Sequence, residues 1–389
     1  MKITNLEIYK LFKKKLRKDI PLPNFYNEGF LFFKIVSEDG IYGFGEPNPY
    51  LGSLQKIEKR LEIVFNNFIR NRNINNINLS NLKKKVKNKI DISLVNSFET
   101  SFFDLIGKSK NLSVSKILSN KTGHFHKKVE LYASGGSIFE NKSYDSLIDE
   151  ALFYKDKGFS GWKFRPKMPL SNKSHLSRMK NPPNFDVTKV INFSQKLRKK
   201  VGNNFNLMFD AGCRCRNVEE AKYLIQGLKN LNFLFIEEPL KRNISNYKKL
   251  FKSFYNKLNI GVGEHLHNLV EFNRWLNSNC FNFIQPDSNL MLYEELYKIY
   301  YKSIKKNKKL ILHNWCNPIN VSSNLSFISS LEKPSITEYN VLIDDFYQKF
   351  DISGFNIKNG KAEILNSPGL GIDISKTKNN NFKFYEKKI

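Results

Sequence analysis

The chain has 389 residues, 40% of them hydrophobic and including 33 Phe and 17 Tyr, so it can build a large core and is neither a disordered nor a fibrous chain. Its formal net charge of +28 suggests a polyanion partner. The basic residues, however, are spread through "KLFKKKLRK", "NLKKKVKNK", "QKLRKK" and "YKSIKKNKKL", interleaved with Leu, Ile and Tyr as on solvated helix faces, so no nucleic-acid partner is expected. Four cysteines (Cys213, Cys215, Cys280 and Cys316) are too few for a disulfide scaffold. No apolar run reaches membrane-span length and "MKITNLEIYKLF" lacks a signal-peptide pattern, so the expectation is a reduced, cytoplasmic protein without a membrane partner.

From residue 129 onward, short apolar runs alternate with longer amphipathic stretches. The runs are "VELYASGG", "GWKFRP", "NLMFDAG", "FLFIEEP", "IGVGE", "FIQPDSN", "LILHNW" and "SITEYN"; between them lie helical patterns such as "SLIDEALFYKDKG", "VTKVINFSQKLRKKVG" and "VEEAKYLIQGLKN". Eight such units predict an α/β fold, a (β/α)8-type TIM barrel whose strands are buried on both sides. A doubly wound sheet would give the same alternation.

Nearly every run ends in a chemically capable residue: Lys163 and Arg165, Asp210, Glu237, Glu264, Asp287, His313, Glu338. From Asp210 on, these recur at intervals of about 25 residues, one strand–helix unit each, and a barrel brings such strand ends to one mouth. Singly, each acid reads as a helix cap or loop residue. Together, carboxylates at Asp210, Glu237 and Glu264 would repel unless a cation bound between them, and an all-oxygen trio suits Mg2+. Strand alternation turns only one of Glu237 and Glu238 into the mouth, leaving Glu238 to a structural contact away from the axis. His313, with Asp287 one unit earlier, makes a pair in which the carboxylate orients the imidazole and raises its basicity.

With this constellation the chain resembles the mandelate racemase-like subgroup of the enolase superfamily. The segments "DGIYGFGEPNPY", "FETSFFDLIGKSKNLSVSKIL" and "NSPGLGIDIS" resemble that family's capping elements. The resemblance implies an enolase-like modified barrel over residues 126–359 and an α+β capping domain over 1–125, completed by 360–389. It further implies Mg2+ held by Asp210, Glu237 and Glu264, and Lys163 stabilising the enediolate. His313 with Asp287 would be the acid–base dyad, Glu338 would bind the substrate carboxylate, and the assembly would be a dimer or octamer.

Three features depart from that pattern. Where racemases of the subgroup have a second lysine base, this chain has Arg165, which stays protonated and disfavours two-base chemistry. Gly212 stands where Asn is frequent, and "PKMPLSNKSHLSRMKNPPNFD" lengthens the interval between Lys163 and Asp210. The expected activity is therefore lyase chemistry: dehydration of an aldonate or aldarate to a 2-keto-3-deoxy acid. Lys18, Asn24, Tyr26, Asn48 and His265 are the expected substrate contacts. A 2-hydroxy-acid racemase or epimerase is the alternative, and a non-catalytic polyanion-binding barrel is a remote one.

Overall fold

The computed structural model describes residues 1–13, 29–168, 183–254, 259–315, 317–343, 350–374 and 382–389. Eight parallel strands follow one another: β4 (Lys128–Ser134), β5 (Gly161–Phe164), β6 (Asn206–Asp210), β7 (Phe233–Glu237), β8 (Ile260–Val262), β9 (Phe283–Ile284), β10 (Lys309–Leu310) and β11 (Thr337–Asn340). β4 through β10 pair in sequence order and β11 returns to pair with β4, giving a TIM-type barrel. Seven α-helices, one between each successive pair of strands, form the outer layer: Ser146–Asp156, Val187–Val201, Val218–Leu228, Ile244–Lys252, Leu269–Leu276, Tyr293–Lys305 and Pro318–Ser329. After β11, among the described residues, comes only a 3-10 turn at Val341–Ile343 and short strands, no eighth barrel helix.

The β10–β11 seam has no ladder pairing among the described residues and is closed by side chains instead. Asn314 Nδ2 donates to the Glu338 carbonyl (2.9 Å), Asn314 N donates to Glu338 Oε2 (3.0 Å), and Ser335 Oγ donates to the Leu310 carbonyl. A buried amide at this seam satisfies backbone groups that would otherwise lose their partners.

Asparagine does much of the local shaping. Asn217, Asn243 and Asn268 each accept the N–H three residues on, capping three barrel helices. Six of the eight described non-glycine residues with positive φ are also Asn, the residue type that tolerates the left-handed region best after glycine. The other two are Cys213 and Glu238, and both lie at the barrel mouth.

The N-terminal part folds as an antiparallel sheet. β1 (Ile3–Lys13), β2 (Phe30–Ser37) and β3 (Tyr42–Gly45) are joined at the β1 edge by the C-terminal strand β16 (Phe382–Lys388). The long helix α3 (Lys89–Ser109), which follows α1 (Leu54–Val64) and α2 (Leu79–Lys85), packs against β3. Gly43 permits that approach, because a Cβ there would lie 2.0 Å from the Ser101 carbonyl. Asp104 on α3 then accepts from Phe44 N (2.8 Å) and Leu370 N (2.7 Å), tying the sheet to the C-terminal segment. No helix among the described residues is long and apolar enough to cross a membrane.

Two carboxylates of this N-terminal part sit on N-termini of barrel helices. Glu99 accepts from Tyr293 N (2.7 Å), at the start of Tyr293–Lys305. Glu46 accepts from Asn317 N (3.0 Å), Asn317 Nδ2 (2.9 Å) and Asn320 N (3.3 Å), at the start of Pro318–Ser329. Each offers carboxyl oxygens to the unsatisfied N–H groups of a helix N-terminus, and the two helices flank the segment carrying His313.

Burial pushes the Glu46 carboxyl up to about 7 against the hydrogen bonds of Asn317 and Asn320, which favour its charged form. Its stabilising contribution is therefore full below the unfolded value and is lost as pH rises through about 7. The difference in unfolding free energy between wild type and Glu46→Gln should fall between pH 5 and 7 and level off above 7. Urea titrations across that range check this; a pH-independent difference would refute it.

Candidate active site

Strand alternation explains why the chemistry-bearing side chains meet. Tyr132, Met208, Phe235, Phe283 and Ile311 form a buried apolar layer across the barrel interior. Two residues further along each run lie Ser134, Asp210, Glu237, Gln285 and His313, so the same inward phase that builds the plug carries these polar groups above it. Ile336 packs on the layer, and Glu338 follows two residues later.

At the floor, Lys163 is fully buried with its ammonium 2.6 Å from Glu237 Oε2 and 2.7 Å from Glu338 Oε1. Burial opposes its charge, but Glu237 and Glu338 outweigh that and keep it protonated. One ammonium cannot satisfy two buried carboxylates equally. Burial would raise Glu338, but Lys163, His313 and Arg165 pull it below the usual carboxylate range. Glu237 is driven well above that range by burial and by the charges of Asp210, Glu264 and Glu338, which Lys163 does not offset. Glu237 Oε1 has no hydrogen-bond partner despite being buried.

Arg165 is fixed along its edge. Nε lies 3.1 Å from Asp210 Oδ2, Nη1 donates to the Gly135 carbonyl (2.8 Å) and Nη2 donates to Ser134 Oγ (3.0 Å). Its guanidinium lies 4.6 Å from the Trp315 ring centroid. Asp210 also accepts from Gly212 N (2.9 Å), so the residue at the frequent Asn position turns its backbone rather than a side chain to the acid.

His313 Nδ1 is 2.9 Å from Asp287 Oδ2, and its Nε2 is 3.4 Å from Glu264 Oε2. Burial would lower the imidazole, but the hydrogen bond to Asp287 and the charges of Glu338 and Glu264 raise it to about 10. Glu264 is in turn 2.9 Å from His265 Nε2. Burial would raise its carboxyl, but the charges of His265, His313 and Arg242 carry it well below the ordinary value.

These groups border a cavity of about 360 Å3. Asp210, Glu264, His265, Asp287, His313, Arg165 and Asn48 line it, while Lys163, Glu237 and Glu338 lie beneath. Asn48 is buried and its Oδ1 is spent on Tyr50 N (2.9 Å). Lys18, Asn24 and Tyr26 lie outside the described residues.

Glu238 behaves differently from its expected role. It makes a structural contact, with both carboxylate oxygens on Arg242 (2.8 and 2.6 Å), yet it also lines the cavity instead of turning away from it. Its positive φ rotates the residue after the strand ends, where period-two alternation no longer applies. Among the described residues, ligand-type atoms of Glu238, Glu264 and His265 gather within 4.8 Å of one another, a group that could hold a metal ion.

Arg214, Arg242 and Trp315 also belong to the site and were not marked by sequence. Arg214 is buried, and its Nε, Nη1 and Nη2 donate to the carbonyls of Pro183 (2.6 Å), Pro166 (3.1 Å) and Lys167 (2.8 Å). Pro166 and Pro183 line the cavity, so one guanidinium holds two parts of its wall. The available signal was Arg214's place four residues after Asp210, too weak alone. Replacing it in Arg214→Met leaves three carbonyls without their donor. We expect a loss on the order of 2–4 kcal/mol in denaturant unfolding; a loss below ~0.5 kcal/mol would contradict this role.

Comparison with known proteins agrees with the fold and places the chain. Residues 146–378 match the family described as enolase C-terminal domain-like, and residues 22–119 match the mandelate racemase / muconate lactonizing enzyme N-terminal domain. A D-gluconate/D-galactonate dehydratase of Picrophilus torridus is 25% identical over 361 residues, covering 89% of this chain and 86% of that protein. An enolase from Sargasso Sea environmental sequence superposes with a TM-score of 0.81 at 23% identity, covering 99% of this chain and 98% of the other. The 3,6-anhydro-D-galactonate cycloisomerase of Zobellia galactanivorans gives 0.78 at 22% identity, covering 96% and 97%. The chain thus belongs to the enolase superfamily, in its mandelate racemase / muconate lactonizing enzyme family.

Proposed function

We propose that the protein is a Mg2+-dependent dehydratase of a sugar acid, an aldonate or aldarate, that yields a 2-keto-3-deoxy acid. The observation that carries this reading is the unlike pair in the cavity wall: His313, held by Asp287 at 2.9 Å, can move a proton, whereas the cation Arg165 cannot act as a base. The similarity to a D-gluconate/D-galactonate dehydratase supports the same substrate class.

The donor chemistry fits a hard divalent ion: Asp210, Glu237 and Glu264 would offer oxygen ligands, and the buried Oε1 of Glu237, which accepts no hydrogen bond, belongs to a carboxyl short of countercharge. Of the three, Glu264 is the one whose oxygen already gathers with other ligand-type atoms, those of Glu238 and His265. A bound ion would supply positive charge at the substrate carboxylate and would offset the Glu264 charge that raises His313. Lys163 and Arg165 contribute fixed positive charge toward the acid end of the substrate. His313 Nε2 takes the proton α to the carboxylate and then returns one to the departing β-hydroxyl, with Asp287 holding the ring on Nδ1. A single residue serving both steps needs no base on the other face, which distinguishes dehydration from racemisation.

Two expectations test this. With Mg2+ in hundredfold excess over Kd, unfolding should be opposed by about 2.7 kcal/mol relative to EDTA. Glu264→Gln should remove most of that gain in thermal unfolding, and an undiminished shift would place the ion elsewhere. Incubation with a panel of aldonates and aldarates should release a 2-keto acid. His313→Asn should cut turnover by about 10²–10⁴-fold while leaving the Mg2+-dependent stabilisation in place. Solvent deuterium appearing at the α-carbon without loss of water would instead indicate racemisation, and no turnover of any acid would count against the reading.

A further inference from the structure

We propose that Trp315 is a positioning residue for substrate binding: its indole ring holds the Arg165 guanidinium so that the N–H groups not spent on the protein meet the substrate carboxylate. The inference rests on reading the cavity as a sugar-acid site and adds a residue to it.

Arg165 has five N–H donors, and the protein takes three of them, through Asp210, Gly135 and Ser134. Those contacts lie along the edge of the guanidinium and leave its faces open. Trp315 covers one face at 4.6 Å from the ring centroid and itself lines the cavity at 8% exposure. The contact covers one face of the guanidinium, while the remaining N–H donors lie in its plane and stay available to an anion. Cation–π attraction also resists tilting of the group. Ile311, His313 and Trp315 all follow β10, and His313 and Trp315 both line the cavity, so the proton-transfer group and the ring that fixes Arg165 rise from one segment. The other two tryptophans have different work. Trp162 is stacked on Phe164 and Trp275 packs edge-on against Tyr247, and neither lines the cavity.

The test uses the full chain with Mg2+ in a His313→Asn background, so that binding is read without turnover. Calorimetric titration with D-gluconate, D-galactonate and glycolate measures Kd for Trp315→Phe, which keeps an aromatic face, and Trp315→Leu, which does not. Trp315→Met serves where the Leu variant fails to fold. The Leu or Met variant should bind about tenfold more weakly, and the Phe variant should stay within about threefold of the parent. With His313 restored, the loss should appear in KM more than in kcat.

Equal loss in Phe and Leu would reduce Trp315 to ordinary packing. No loss in either, or a fall in kcat at constant KM, would overturn the proposal. If none of the three acids binds the parent, the proposal falls together with Arg165 as an anion contact. If they bind with the expected Trp315 dependence but no keto acid forms, only the dehydratase reading falls.

Discussion

The Lys163 ammonium, buried between Glu237 and Glu338, is the interaction on which the site depends. Burying three ionic groups costs several kcal/mol each unless their charges are answered, and here one cation answers two anions. The arrangement is therefore short of positive charge by construction. Glu338 takes the larger share because Asn314 N and Arg165 also favour its ionised form. The deficit falls on Glu237, whose Oε1 is buried and accepts no hydrogen bond. A chain with +28 net charge thus keeps an uncompensated acid at the floor of its barrel. The surface lysines do not relieve it, because charges separated by solvent are screened within about 10 Å at 0.1 M salt.

The N-terminal part contributes to the same region both through Asn48 in the cavity wall and through two helix N-termini. Glu99 and Glu46 sit on the first turns of the helices before and after the His313 segment. Helix N-termini carry unsatisfied N–H groups, and three of the seven barrel helices answer them with their own asparagine caps. For Pro318–Ser329 the side chain of the capping residue Asn317 makes no such bond, and Glu46 supplies the acceptor from another part of the chain. A helix capped from outside cannot shift without breaking that contact, so docking of the N-terminal part and placement of the His313 segment are energetically linked.

What was legible in the sequence follows from periodicity. Inward-facing strand residues repeat every second position, so Met208 and Asp210, or Phe235 and Glu237, could be placed together without coordinates. The recurrence of such endings, one strand–helix unit apart, marked the mouth. Periodicity fails where the backbone leaves the strand. Glu238 at φ 38° and Cys213 at φ 60° follow no alternation, and both face the cavity. Arg214 was equally invisible, because its partners are backbone carbonyls, which any sequence offers. The β10–β11 seam depends on the Asn314 amide reaching across strands, a contact that no local pattern announces.

Arg165 shows what a guanidinium fixes at a buried, polar position. A lysine at this position could lose its proton when buried among cations; a guanidinium keeps its charge in every environment the barrel offers. Here it is also pinned at three points and covered by an aromatic ring. Its freedom to move toward either face of a substrate is correspondingly small. In the proposed reaction proton transfer would be left to His313, whose ring Asp287 holds at Nδ1. Chemistry confined to one face favours eliminating a neighbouring group over inverting the centre. Under the proposed reading, that stereochemical limit, more than the presence of any single acid, would separate this barrel from a racemase built on the same strands.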